Sequence, residues 1–506
     1  MTKPIPPIVY VFLYLLVLTA AVFLVDLEPG NESPRDQHIK LLGVVQTNST
    51  RGSYGVEVDL SLRLTAGNGR VFVKKESPIG KDTEVSIRYA NEIACKSRSC
   101  KDKDFHYTVT GRNLNGGSGG ASAAAITVAA LEGLELNKSV AVTGTITPGG
   151  LVGEVGSVKE KIKLSSRMGV KTILIPRGNG FQDEINLREY GGALGVDVIE
   201  VSDLSDILYR LTHHNYSYSG REIVVDEKYS EKMKNISIAF CAATADHNAM
   251  DEMRAGHFYS AASICFWENV EKRFLELSNS TVDVDREVNS LLFKISHFEK
   301  NLPNVSTASD LQLKGNILLK TGEAKEFLDE IESNALLLND SLYKLSHAQE
   351  RFSSAEEFRI FLPPTSNGDS RVITELLLRQ KCTQKIRDVV DVQETYPFLE
   401  DYWNATGEDW NSSSNVEYCI FSASIKRAEL NAIMMASQAS NLTDVIERTI
   451  EAARESIIRE TEKGNFPIIS YNYYEYATYL KDVDPMSALL FSEFSIELAD
   501  LSPYEV

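Results

Sequence analysis

Three textures of hydrophobic and polar positions succeed one another along the chain. The first is a charge-free, apolar stretch of 18 residues from Ile8 to Val25, closed by Asp26. A bilayer-spanning helix needs about 17 to 25 apolar residues, so the stretch predicts one N-terminal transmembrane helix within a segment 1–27. Lys3 precedes it, whereas Asp26, Glu28 and Glu32 follow it. The positive-inside bias then leaves the N-terminus cytoplasmic and the body of the chain on the far side of the membrane. A cleaved signal peptide is the rival reading, although its apolar core usually runs only about 7 to 15 residues. Residues 28–38 read as a polar linker.

The second texture, 39–214, mixes two periods. Alternation in Gly55-Val56-Glu57-Val58-Asp59-Leu60-Ser61-Leu62, and again in 70–73 and 106–109, predicts half-buried strands. Between them Val85, Ile87, Ala90 and Ile93 keep near a 3.6-residue period, which predicts a helix over 83–95. Small residues fill a second helix over 119–131. A strand over 139–146, a helix over 157–168 and an apolar strand over 172–175 follow, the last stopped by Pro176. Strands and helices interleave without strict βαβ order, so the expected class is α+β.

Alternation fades in the third texture, 215–506. Helical spacing predicts helices over 261–277, 284–298, 320–345, 372–392, 416–439 and 442–459, with breakers such as Asn301-Leu302-Pro303 and Asp484-Pro485. The stretch 471–501 reads as a helical hairpin like a single tetratricopeptide unit. No 34-residue period is sustained elsewhere, so an all-α bundle or short solenoid is expected.

A formal charge of −19 argues against a partner with a phosphate backbone, which needs a basic face, so nucleic acid is not an expected partner. The six cysteines permit three disulfides, and Cys95 lies close enough to Cys100 for a small loop. Asn-x-Ser/Thr sequons recur, among them Asn48, Asn137, Asn215 and Asn235. Both features agree with an extracytoplasmic, glycosylated surface. His213-His214 lacks companion ligands at metal spacing, and no His-Glu-x-x-His is present. No metal and no cofactor are expected.

Candidate chemistry centres on Gly116-Gly117-Ser118-Gly119-Gly120. The Lys-Ser/Thr that completes a P-loop does not follow these glycines, and no complete P-loop motif occurs elsewhere in the chain, so ATP hydrolysis is not expected. The pentapeptide also fits the nucleophile elbow Gly-x-Ser-x-Gly. That elbow needs an apolar strand running into it, and Arg112-Asn113-Leu114-Asn115 stands there instead. A glycine loop with an incidental serine is the plainer reading of these five residues alone. Downstream, Val158-Lys159-Glu160-Lys161-Ile162-Lys163-Leu164 puts Val158, Lys161, Ile162 and Leu164 on one helical side. Lys159, Glu160 and Lys163 are expected to face out. A lysine on an apolar stripe can be held neutral by burial, and only a neutral amine can take a proton from a serine hydroxyl.

Ser118, the small-residue helix, Val140-Ala141-Val142-Thr143-Gly144-Thr145-Ile146, Gly150-Leu151-Val152-Gly153-Glu154, the Lys161 segment and Gly169-Val170-Lys171-Thr172-Ile173-Leu174-Ile175-Pro176 occur in an order that resembles the proteolytic domain of Lon proteases, especially archaeal membrane-linked forms. The resemblance covers 39–214 and implies Ser118 as nucleophile, Lys161 as general base and Thr143 beside the lysine. Backbone groups at Gly116 and Gly117 would shape the loop and hold the oxyanion. It also implies polypeptide substrates and a homo-oligomer such as a hexameric ring. Two positions depart from the family pattern: Asn115 stands where an aspartate is usual, and Gly117 where a small residue or proline precedes the serine. The expected function is an ATP-independent serine endopeptidase acting on unfolded or damaged polypeptides. The rival is a binding or scaffold protein built on a disabled proteolytic domain.

Overall fold

A computed structural model describes residues 36–46, 53–76, 79–95, 100, 102–111, 116–147, 150–215, 221–243, 246–305, 307–333, 337–363, 375–395, 415–439, 441–499 and 501. The apolar stretch 8–25 and Asn115 lie outside them. Among the described residues no helix is long and apolar enough to cross a membrane.

The N-terminal half is α+β. Strands β1 (Gln37–Gln46), β2 (Ser53–Ala66), β3 (Val71–Lys75) and β4 (Lys103–Thr110) form a sheet in the order β1-β2-β4-β3. β1 and β4 run antiparallel to β2, and β3 runs parallel to β4. Alternation dictates which face is covered: Val58, Leu60 and Leu62 are buried, while Glu57 and Asp59 are not. Helix α1 (Lys81–Cys95) buries Ile87, Ala90 and Ile93 against this core.

Helix α2 (Gly120–Glu132) is buried at every position from Gly120 to Ala129. A helix apolar on all sides has no solvent face, and α2 packs against α1, β1 and β2. Its alanines let these neighbours come close. Gly133 ends it in the left-handed conformation at φ 67°, donating its N–H to Ala129 O.

A second, parallel sheet is ordered β11-β8-β5, from β5 (Val140–Val142), β8 (Thr172–Pro176) and β11 (Asp197–Val201). Short pairs β6 (Thr145–Ile146) with β7 (Val152–Gly153) and β9 (Phe181–Gln182) with β10 (Ile185–Asn186) lie between. Helices α3 (Val158–Arg167), α4 (Leu187–Ala193) and α5 (Leu204–Thr212) complete this half. The single strand expected over 139–146 is divided. Thr143 and Gly144 leave the sheet to bond elsewhere, as described below. β1, β11, α4 and α5 are too short or too mixed in pattern to announce themselves in sequence.

The rest is helical: α6 (Glu227–Phe240), α7 (His247–Ala255), α8 (Phe258–Ser278), α9 (Val284–Lys300), α10 (Ala308–Ser333), α11 (Leu338–Phe358), α12 (Glu375–Thr395), α13 (Val416–Gln438), α14 (Leu442–Glu462), α15 (Ile468–Leu480) and α16 (Pro485–Ala499). The helix expected over 320–345 is two helices, α10 and α11. Apolar Leu337 and Leu338 sustain the pattern across the turn, yet they are 76% and 65% exposed. Helix α10 packs on α11, α13 and α15, so distant segments share one core. A solenoid unit touches only its sequence neighbours, and these contacts are those of a bundle. Disulfides join Cys95–Cys100, Cys241–Cys265 and Cys382–Cys419.

The two halves meet. Arg448 on α14 donates to Ser202 O at 3.2 Å, and Arg177 pairs with Asp444 at 3.1 Å. Leu151 packs with Ala452, Ala453 and Ile496.

Candidate active site

Ser118 lies half-buried in the loop that opens α2, two residues before its first turn. Gly116 takes φ 104°, a conformation that a side chain would strain. The loop is tied down at successive carbonyls. From α1, Thr83 Oγ1 donates to Gly116 O at 3.1 Å and Ser86 Oγ donates to Gly117 O at 3.1 Å. Gly120 N–H closes the turn on Gly117 O at 2.9 Å.

Thr143-Gly144 leaves the parallel sheet at this point. Thr143 N–H still donates to Leu174 O at 3.0 Å, but Gly144 N–H donates to Ser118 O at 2.9 Å and Ala121 N–H donates to Gly144 O at 3.0 Å. A Cβ on Gly144 would stand 2.4 Å from Val152 Cγ1, so this approach requires glycine.

Lys161 is 4% exposed on the buried side of α3, with Val158, Ile162 and Leu164. Its Nζ donates to Thr143 Oγ1 at 3.1 Å. Thr143 Oγ1 in turn donates to Ser118 O at 3.4 Å, a long bond, so the threonine touches both expected partners. Burial lowers the Lys161 pKa to about 8, because a protein interior disfavours the charged amine. Glu160 and Lys159 differ from the expected outward pair. Both are half-buried, Lys159 with its ammonium 5.7 Å from the centre of the Tyr190 ring. Lys163 faces solvent.

Among the described residues, neither Gly117 N–H nor Ser118 N–H donates to an acceptor. Unpaired donors beside a serine are what a tetrahedral oxyanion needs. Ser118 Oγ makes no hydrogen bond among them either; such bonds are often long in enzymes without substrate and tighten on binding.

The structure brings together Gly116, Gly117, Ser118, Thr143 and Lys161. Sequence reasoning passed over Thr83 and Ser86. They stand three residues apart on one face of α1, but nothing local names the loop they hold. His106 belongs to the sheet, stacked on Phe72 at 4.9 Å and bonded to Thr65 at 3.0 Å. His213 caps α5. No group of His, Cys, Asp and Glu that could hold a metal occurs among the described residues.

Residues 59–211 match the Lon protease (S16) C-terminal proteolytic domain. The archaeal Lon protease of Archaeoglobus fulgidus is 32% identical over 113 residues, covering 22% of this chain and 18% of that protein. The Lon protease of Azospirillum brasilense is 33% identical over 153 residues, covering 28% of this chain and 18% of its own length. That of Rickettsia prowazekii is 28% identical over 179 residues, covering 32% and 22%. The chain thus spans about a fifth of the length of the curated relatives it matches. The segment 59–211 is thus similar to the proteolytic domain of Lon proteases, a class of serine endopeptidases, and an all-helical region follows it.

Proposed function

We propose that the chain is a serine endopeptidase in which Ser118 is the nucleophile and Lys161 the general base. The observation that carries this reading is Lys161: buried, with its pKa near 8, and bonded to the threonine that also touches Ser118. A neutral Lys161 amine takes the proton as Ser118 Oγ bonds to the scissile carbonyl carbon. The negative charge gathers on the carbonyl oxygen, where Gly117 and Ser118 N–H groups stabilise it. The resulting ammonium returns its proton to the leaving amine nitrogen, the C–N bond breaks, and an acyl-enzyme remains. Water then repeats the attack, losing its proton to Lys161; Lys161 passes that proton to Ser118 Oγ as the acyl–Oγ bond breaks, which releases the product acid and restores both groups.

With no P-loop in the sequence, the activity is proposed to be independent of ATP and directed at chains already unfolded. The apolar stretch 8–25 supports a single-pass anchor with the body extracytoplasmic. Association into a homo-oligomer is proposed from the resemblance to the Lon proteolytic domain alone. A second reading is favoured by Asn115, where the resembled family has aspartate: an inactive domain supporting a scaffold.

One experiment separates the two. Residues from Asp26 onward are incubated with an unfolded protein, beside the Ser118→Ala variant, with no nucleotide. Cleavage by the parent alone supports the peptidase; intact substrate in both arms favours the scaffold.

A further inference from the structure

The helical half holds a cavity of about 560 Å³, remote in sequence from Ser118 and lined from α6, α8, α10, α11, α13, α15 and α16. That volume falls in the range of small-molecule sites, roughly 300 to 1,000 Å³. Its wall mixes aromatic rings, Tyr259, Phe266, Tyr473 and Phe494 among them, with charged side chains. Trp267 stands at the same wall, 49% exposed.

Charged groups enter this aromatic space, and most have answered one another. Arg351 pairs with Glu323 at 2.9 Å, Lys426 pairs with Glu429 at 3.0 Å, and Asp484 accepts from Ser487. Lys320 is different. It is 8% exposed, and among the described residues its ammonium has neither a hydrogen bond nor an ion pair. Its ammonium lies 5.1 Å from the centre of the Phe358 ring, and the charges of Arg351 and Glu323 act on it through space without bonding to it. A buried cation without a bonded counter-charge is expensive, and burial, with Arg351 nearby and Glu323 partly offsetting it, lowers the Lys320 pKa to about 7. Removing it would cost the fold no hydrogen bond or ion pair among the described residues, only the contact with the Phe358 ring.

We infer that this cavity binds a ligand carrying one carboxylate on an aromatic or aliphatic body, with Lys320 as the counter-charge and the rings as walls. One positive charge without a bonded partner among the described residues matches one negative charge. A dianion such as a phosphate monoester would face Glu323, Glu326 and Glu429 on the same wall without the guanidinium fork that it prefers, since Arg351 is already engaged. The carboxylate can belong to a free small acid or to the C-terminal residue of a polypeptide.

Calorimetric titration of the full chain in detergent tests this, in a Ser118→Ala background so that the result does not depend on whether Ser118 cleaves peptides. Four probes are compared: N-acetyl-phenylalanine, its amide, a hexapeptide ending in phenylalanine and the same peptide amidated. A charge-assisted bond is worth about 1.5 to 3 kcal/mol, so each acid should bind at least about tenfold more tightly than its amide. Lys320→Met should erase that preference, while cleavage by the Ser118-intact chain carrying the same change stays at the parent rate. Binding of the free acid alone assigns a small-molecule site, and binding of the free-ended peptide assigns a chain terminus. Equal affinity for acid and amide in the parent, or an undiminished preference in Lys320→Met, overturns the proposal. The acid-against-amide comparison in the parent needs no substitution at Lys320, so poor folding of that variant would leave it decisive.

Discussion

Arg427, 1% exposed on α13, donates through both terminal nitrogens to Glu92 on α1, at 2.8 Å and 3.1 Å. The same helix α1 holds the carbonyls of Gly116 and Gly117 through Thr83 and Ser86. One rigid element therefore joins the helical half to the loop that carries Ser118. Arg427 also lies over the Tyr89 ring at 4.7 Å and faces Glu497 at 3.7 Å.

Removing one partner of a buried ion pair costs about 3 to 5 kcal/mol, so Arg427→Met should lower the melting temperature markedly. Glu92 is more exposed, and Glu92→Gln should cost about 1 kcal/mol or less. Its informative readout is turnover of a short peptide, expected to fall with little change in melting. Unchanged turnover would mean that Thr83 and Ser86 hold the loop unaided.

Lys161→Met should abolish peptide cleavage and leave the fold intact. In the parent, cleavage should rise with pH through about 8 as the amine loses its proton. Stability should follow a related course. The Lys161 pKa is lower folded than unfolded, so between about 8 and the ordinary 10.5 the unfolded chain binds more protons. Its penalty is thus full below about 8 and fades as pH rises towards 10.5, on the order of 3 kcal/mol in all. Melting curves of parent and variant should differ most at pH 7, the variant being the more stable there. A parallel pair of curves across this range would contradict the burial argument.

Thr143→Val keeps the shape of the side chain and removes the hydroxyl that accepts from Lys161. A misplaced base costs on the order of 10²-fold in rate, so kcat should fall by that amount with KM nearly unchanged. Thr143→Ser retains the oxygen and should recover most of the loss. Failure of serine to rescue would assign Thr143 a packing role instead.

Gly144→Ala sets a methyl against Val152, itself 1% exposed. Overpacking of this kind costs about 1 to 3 kcal/mol, and it should also push Gly144 N–H away from Ser118 O. Adding Val152→Ala in the same chain should restore both melting temperature and cleavage. Thermal denaturation and a peptide assay on the single and double variants provide the check.

Much of this arrangement was legible from residue order. Alternation at 55–62 marks β2, and the all-small composition after Ser118 marks a helix with no solvent face. The stripe through Val158, Lys161 and Ile162 singles out one lysine of three, because local periodicity fixes which side chains share a face. Tertiary structure decided what those faces meet. It breaks the strand after Val142 so that Gly144 can bond Ser118, brings Thr83 and Ser86 to a loop over thirty residues away, and seals Arg427 against Glu92. It also leaves Lys320 without a hydrogen bond or ion pair among the described residues, in a cavity lined by rings and charged side chains, although its sequence neighbourhood reads as an ordinary helix. Each of these depends on contact between distant segments, and pattern within one segment carries no information about its partner.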